Sequence, residues 1–129
     1  MLNKLRDEIH QNAIEHGWWQ EERSFGDIIA LCHSELSEAL EEYRNGHIPT
    51  ATYHSCSKND RGCDAVKSQP YMCEGCENRK PEGIPVELAD VIIRILDYCG
   101  KKGIDIEEVI RAKHKYNKTR PFKHGGKKI

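Results

Sequence analysis

Apolar residues recur at helical spacing in four stretches of the chain. Leu5, Ile9 and Ala13 share one face of a helix predicted over 3–16, with Gly17 as its stop. Ser24 followed by Asp27 three residues later is a capping pair for a second helix, which runs to about Arg44 before Asn45-Gly46 ends it. A third helix follows Pro85, placing Leu88, Val91, Ile92, Ile95, Leu96 and Cys99 on one broad face, and closes at Gly100. A fourth begins at Asp105, with Glu108 as capping partner, and runs to about Tyr116. No alternating pattern of useful length appears. Val91, Ile92 and Ile93 are β-branched, yet they sit inside a 3.6-residue period too long for a strand. The pattern predicts an all-α fold. A lone four-helix unit this small has a thin core, so the wide apolar faces of helices two and three are expected to pair with further copies, as a homodimer or homotetramer.

Residues 47–83 break the periodicity. They hold few large apolar residues (Ile48, Tyr53, Val66, Tyr71 and Met72) and read as an insertion between helices two and three. Four of the six cysteines lie there. Cys56, Cys63, Cys73 and Cys76 give C-x6-C-x9-C-x2-C, and the closing Cys-Glu-Gly-Cys suits one half of a tetrahedral Zn2+ thiolate site. His54 is a substitute ligand. Redox or disulfide pairing and an unordered insert remain open beside the zinc reading. Cys32 and Cys99 fall on apolar helix faces and read as core residues.

Composition sets the bounds. At 129 residues, 37% apolar and 32% charged, the chain is read as one globular domain over 1–129, neither disordered nor membrane-like. The formal charge of −1 conceals an asymmetry. No acid follows Glu108, and residues 109–129 carry eight cations, which leaves −9 on the preceding 108 residues. An acidic body with a basic tail (111–129) suggests an anionic ligand. No run approaches the roughly 20 apolar residues of a membrane span. The amphipathic start MLNKLRDEIHQ does not read as a signal peptide. The expected location is cytoplasmic, without a membrane partner.

The acids of the two central helices carry the chemistry. Glu35, Glu38 and Glu42 fall in a stripe about 60° wide beside the Cys32/Leu36/Leu40 face. Glu87 and Asp90 repeat the device beside Leu88, Val91 and Ile95. Packing through those apolar faces would bring carboxylates from both helices to one edge. Uncompensated, such a cluster repels itself, and a hard divalent cation such as Mg2+ resolves the repulsion.

These words resemble a family. Glu35-x-x-Glu38 and Glu87-x-x-Asp90 are similar to the ExxE…ExxD signature of the all-α nucleoside triphosphate pyrophosphohydrolases, the MazG-like group. Gly17-Trp18-Trp19, Glu35-Leu36-Ser37-Glu38-Ala39, Glu87-Leu88-Ala89-Asp90-Val91 and the segment from Lys113 to Pro121 extend the resemblance. It covers about 90 residues, everything outside 47–83. The longer gap between the acid pairs and the cysteine-rich insertion depart from the family pattern.

The resemblance implies Mg2+-dependent (or Mn2+-dependent) cleavage of nucleoside or deoxynucleoside triphosphates to monophosphate and pyrophosphate. Glu35, Glu38, Glu87 and Asp90 would hold the metal, and Glu38 would also accept a proton from the attacking water. Arg94, one turn after Asp90, is read either as a phosphate contact or as an ion pair with Asp90 or Asp97. Lys113, Asn117 and Arg120 would supply donors to the polyphosphate, and Trp18 or Trp19 a stacking face for the base. A different class competes: a helical zinc-binding adaptor whose basic tail contacts nucleic acid or protein. The converging acids favour the enzyme, and nucleic acid is then not an expected partner.

Overall fold

Side-chain caps set the helix boundaries. In the computed structural model, which describes residues 1–56 and 79–129, Ser24 Oγ accepts the Asp27 backbone N–H at 3.0 Å and opens the second helix. Asp105 Oδ1 accepts the Glu108 N–H at 3.1 Å and opens the fourth. The element order is α1 (Leu2–Glu15), α2 (Phe25–Arg44), β1 (Tyr53–Cys56), β2 (Arg79–Glu82), α3 (Ile84–Lys102), α4 (Ile106–Thr119) and α5 (Lys123–Gly126). The fold is mostly helical, and α5 is a single turn containing left-handed residues. Among the described residues, no helix is long and apolar enough to cross a membrane.

Two expectations need correcting. Strands were not expected, yet Tyr53–Cys56 and Arg79–Glu82 pair antiparallel, with Tyr53 opposite Glu82 and Ser55 opposite Lys80. Four residues per strand are too few for alternation to rise above a polar background. Nor does α3 close at Gly100; it continues to Lys102, and Gly103 takes the left-handed conformation that ends it. Gly100 instead makes room for α1. A Cβ there would lie 2.6 Å from the His10 Cβ, so only a bare backbone permits the approach.

The chain forms two compact units, and α3 contributes to both. The terminal unit comprises Met1–Glu22 and Ile95–Ile129, with Ala13, Leu96 and Cys99 buried. There Arg6 Nη1 donates to the Ile104 carbonyl (2.6 Å) and Asn3 Nδ2 to Asp105 Oδ1 (2.7 Å), tying α1 to the α3–α4 connection.

The central unit, Arg23–Arg94, buries Ile28, Cys32, Glu35 and Ala39 of α2 together with Ile84 and Glu87 of α3. That stripe differs from the expected one. Cys32 is inside, but Leu36 and Leu40 are 47% and 58% exposed, and Glu35 takes a place on the buried face. By helical geometry Ile29, Leu36, Leu40 and Tyr43 form a second apolar stripe, about 80° around the helix from the first. Glu35 turns inward, and Leu36 and Leu40 outward.

Candidate metal centre

Glu35 and Glu38 are one turn apart on α2, and Glu87 stands in the first turn of α3. The start of α3 is set by Gly83, whose carbonyl accepts the N–H groups of Val86 (2.9 Å) and Glu87 (3.1 Å). Glu35, Glu38 and Glu87 each offer a carboxylate oxygen, and these oxygens lie within 4.8 Å of one another. Glu35 and Glu87 are buried, whereas Glu38 is exposed at the rim.

Carboxylates at this separation repel one another, and a cation among them relieves the repulsion. Burial first, then a hydrogen bond shared with Glu38 and the charges of Glu38, Asp90 and Glu35, push the Glu87 carboxyl up to about 7. Asp90 is half-buried one turn along α3. Its carboxyl is also raised, by burial and then by Glu35, against the opposing charges of Arg94 and Lys80. Of the four sequence-predicted acids, Glu35, Glu38 and Glu87 converge, while Asp90 is outside that cluster and feels the charges of Glu35 and Glu38.

Arg94 belongs to this site in a way neither sequence reading anticipated. Its Nε donates to Glu35 Oε1 at 2.6 Å, and Nη2 lies 2.5 Å from the same oxygen as an ion pair, across from α3 to α2. The partner is neither Asp90 nor Asp97, because an ion pair spanning 59 positions leaves no trace in local spacing. The guanidinium pairs with and orients the buried Glu35 carboxylate. Replacing it by methionine is expected to lower stability by about 2 kcal/mol, since one buried charge would lose its partner. Urea unfolding of Arg94→Met reads this directly, and an unchanged midpoint would mean that Glu35 does not need the pair.

The hairpin supplies further groups that sequence reasoning missed. Tyr53 Oη donates to Glu42 Oε1 at 2.7 Å, so Glu42, the third acid of the α2 stripe, is engaged by the hairpin. Glu42 Oε2 is buried, 3.2 Å from His47 Nε2 but without hydrogen-bond geometry, and His47 stacks on the Tyr53 ring at 5.0 Å. Burial, the bond to Glu42 and the charges of Glu42, Glu82 and Glu87 push the Tyr53 hydroxyl up to about 12. Glu42 in the acid stripe was the one sequence signal pointing here.

The remaining candidates belong to the terminal unit. Trp19 is half-buried; its Nε1–H donates to Asp97 Oδ1 at 2.9 Å, and the Lys101 ammonium sits 5.3 Å from its ring centroid. Trp18 is 58% exposed. Of the two indoles, Trp19 is therefore the packed one. Lys113 and Arg120 approach the Tyr116 ring at 4.9 and 5.9 Å, and the Asn117 carbonyl accepts the Arg120 N–H. Cys63, Cys73 and Cys76 lie outside the described residues, as does the side chain of Cys56.

No family model, curated protein or solved structure matches this chain.

Proposed function

We propose that the protein is a Mg2+-dependent nucleoside triphosphate pyrophosphohydrolase of the MazG-like kind. The observation that carries this reading is the meeting of Glu35, Glu38 and Glu87 within 4.8 Å, from two helices, on hard oxygen donors only. The donor set fits Mg2+ or Mn2+. The raised Glu87 carboxyl is what a cation-binding cluster looks like when a proton stands in for the charge. Glu35, Glu38, Glu87 and Asp90 would hold the cation. When bound, it supplies charge neutralisation at the phosphates and a lowered pKa for water.

The chain's own groups do the rest. Arg94 fixes Glu35, so that one of the two buried oxygen donors is held in place during turnover. Glu38 is exposed, so it can face an incoming water and accept its proton as that water attacks phosphorus. The products are a nucleoside monophosphate and pyrophosphate. Trp18, with its exposed ring, is assigned to the base, and Lys113, Asn117 and Arg120 to the polyphosphate.

The exposed stripe of Ile29, Leu36, Leu40 and Tyr43 supports assembly as a homo-oligomer through α2. The spacing of Cys56, Cys63, Cys73 and Cys76 supports a Zn2+ site. Elemental analysis of purified protein should then find about one zinc per chain, and a zinc-free sample would refute that assignment.

The function is tested with a panel of normal and modified nucleoside triphosphates, incubated with and without Mg2+. Equal amounts of monophosphate and pyrophosphate, formed only with the cation, are expected from at least one substrate. Release of orthophosphate alone, or no product from any member, would refute the reading.

A further inference from the structure

We infer that Lys80 of the β-hairpin is a polyphosphate-binding cation of the carboxylate site. This rests on the reading of that site as one for a metal and a triphosphate. Side chains alternate along a strand, and the ladder sets Tyr53 opposite Glu82 and Ser55 opposite Lys80. These four therefore share one face of the hairpin. That face is turned toward α2, because Tyr53 reaches Glu42 from it. The hairpin is also joined directly to the site, since only Gly83 separates β2 from α3, and the Gly83 carbonyl receives the Glu87 N–H.

Charge agrees with placement. Glu87 and Glu38 both act on the Lys80 ammonium, which is held above its ordinary range chiefly by its bond to Glu82. Asp90 in turn feels two cations, Arg94 and Lys80. Arg94 is committed to Glu35 through two of its nitrogens. Arg79 is directed to His54, on the hairpin's other face, and Arg44 to Glu41. Arg44 is held no more tightly than Lys80, but it is not among the charges acting on Glu87 or Asp90. Lys80 differs from Arg94 in being held lightly. Its side chain is 61% exposed and its ammonium lies 3.2 Å from Glu82 Oε1. With the ammonium end in solvent, such a pair is weakened by water and salt. A phosphate oxygen carrying more charge can replace Glu82 at little cost.

Calorimetry on the full chain tests the assignment, with Mn2+ alone and then inorganic tripolyphosphate in saturating Mn2+. In Lys80→Ala, Mn2+ should bind as in the wild type, or more tightly because a positive charge has gone. Tripolyphosphate should bind about ten- to a hundredfold more weakly, the loss of one charge-assisted hydrogen bond. Glu82→Gln separates binding from architecture. It releases the ammonium while keeping an acceptor for Ser55, so tripolyphosphate should bind at least as tightly as in the wild type. Wild-type affinity for tripolyphosphate in Lys80→Ala would overturn the inference. So would an equal loss in Glu82→Gln, or a Mn2+-loaded wild type that takes up no tripolyphosphate. A wild type that binds no Mn2+ would instead remove the metal-site reading, and the Lys80 assignment with it.

Discussion

Replacing Glu87 by glutamine is expected to make the metal-free protein more stable at pH 8 and to cost it at least about a hundredfold in activity. Glu87 holds its proton up to about 7 in the folded chain and has its ordinary value of 4.5 once unfolded. A carboxyl raised in this way stabilises the fold fully below about 4.5, and the contribution is lost as the pH climbs through about 7. At pH 8 the wild type therefore carries a buried, repelled carboxylate, and the neutral amide does not. The gain should be about 1–3 kcal/mol, or roughly 5 °C in melting temperature. Below pH 4.5 the two proteins should differ little. Thermal melts of both proteins in chelator across this range give the comparison, and coincident melting at pH 8 would show that the cluster is not strained. The activity loss has the same cause, since an amide brings no charge to the cation.

The second large effect is expected at the junction of hairpin and helix. Gly83 has φ +115°, and a Cβ there would lie 2.6 Å from the Ala51 carbonyl oxygen, a backbone atom that cannot swing aside. Strain and overlap together should cost Gly83→Ala about 3 kcal/mol or more. Because the same residue caps the turn that carries Glu87, activity should fall with stability. Gly46→Ala is the control: φ is also positive (+89°), but nothing lies within 4 Å, and about 1 kcal/mol is expected. Denaturation midpoints of the two variants settle the difference. Equal small shifts would mean that the junction is loose.

What was legible in the sequence was what repeats locally. Three-residue spacing put Glu35 with Glu38 and Glu87 with Asp90, and short polar side chains at Ser24 and Asp105 marked helix starts, since both signals are confined to one helical turn. What depended on partners distant in sequence was not legible. Leu36 and Leu40 read as core because they are apolar at the right period, yet the inward stripe contains Glu35, whose burial is made tolerable by Arg94 on another helix. The hairpin escaped notice for a different reason. Tyr53 and Lys80 come together through a pairing across positions 57–78, and neither four-residue strand carries a pattern of its own.

Calorimetric titration of Mn2+ into the full chain at pH 8, beside Glu38→Gln and Glu87→Gln, puts the carboxylate site to its most direct test. Saturable binding to the wild type, lost or strongly weakened in both variants, is the predicted result. No saturable binding, or binding that survives both substitutions, would contradict a cation site at Glu35, Glu38 and Glu87.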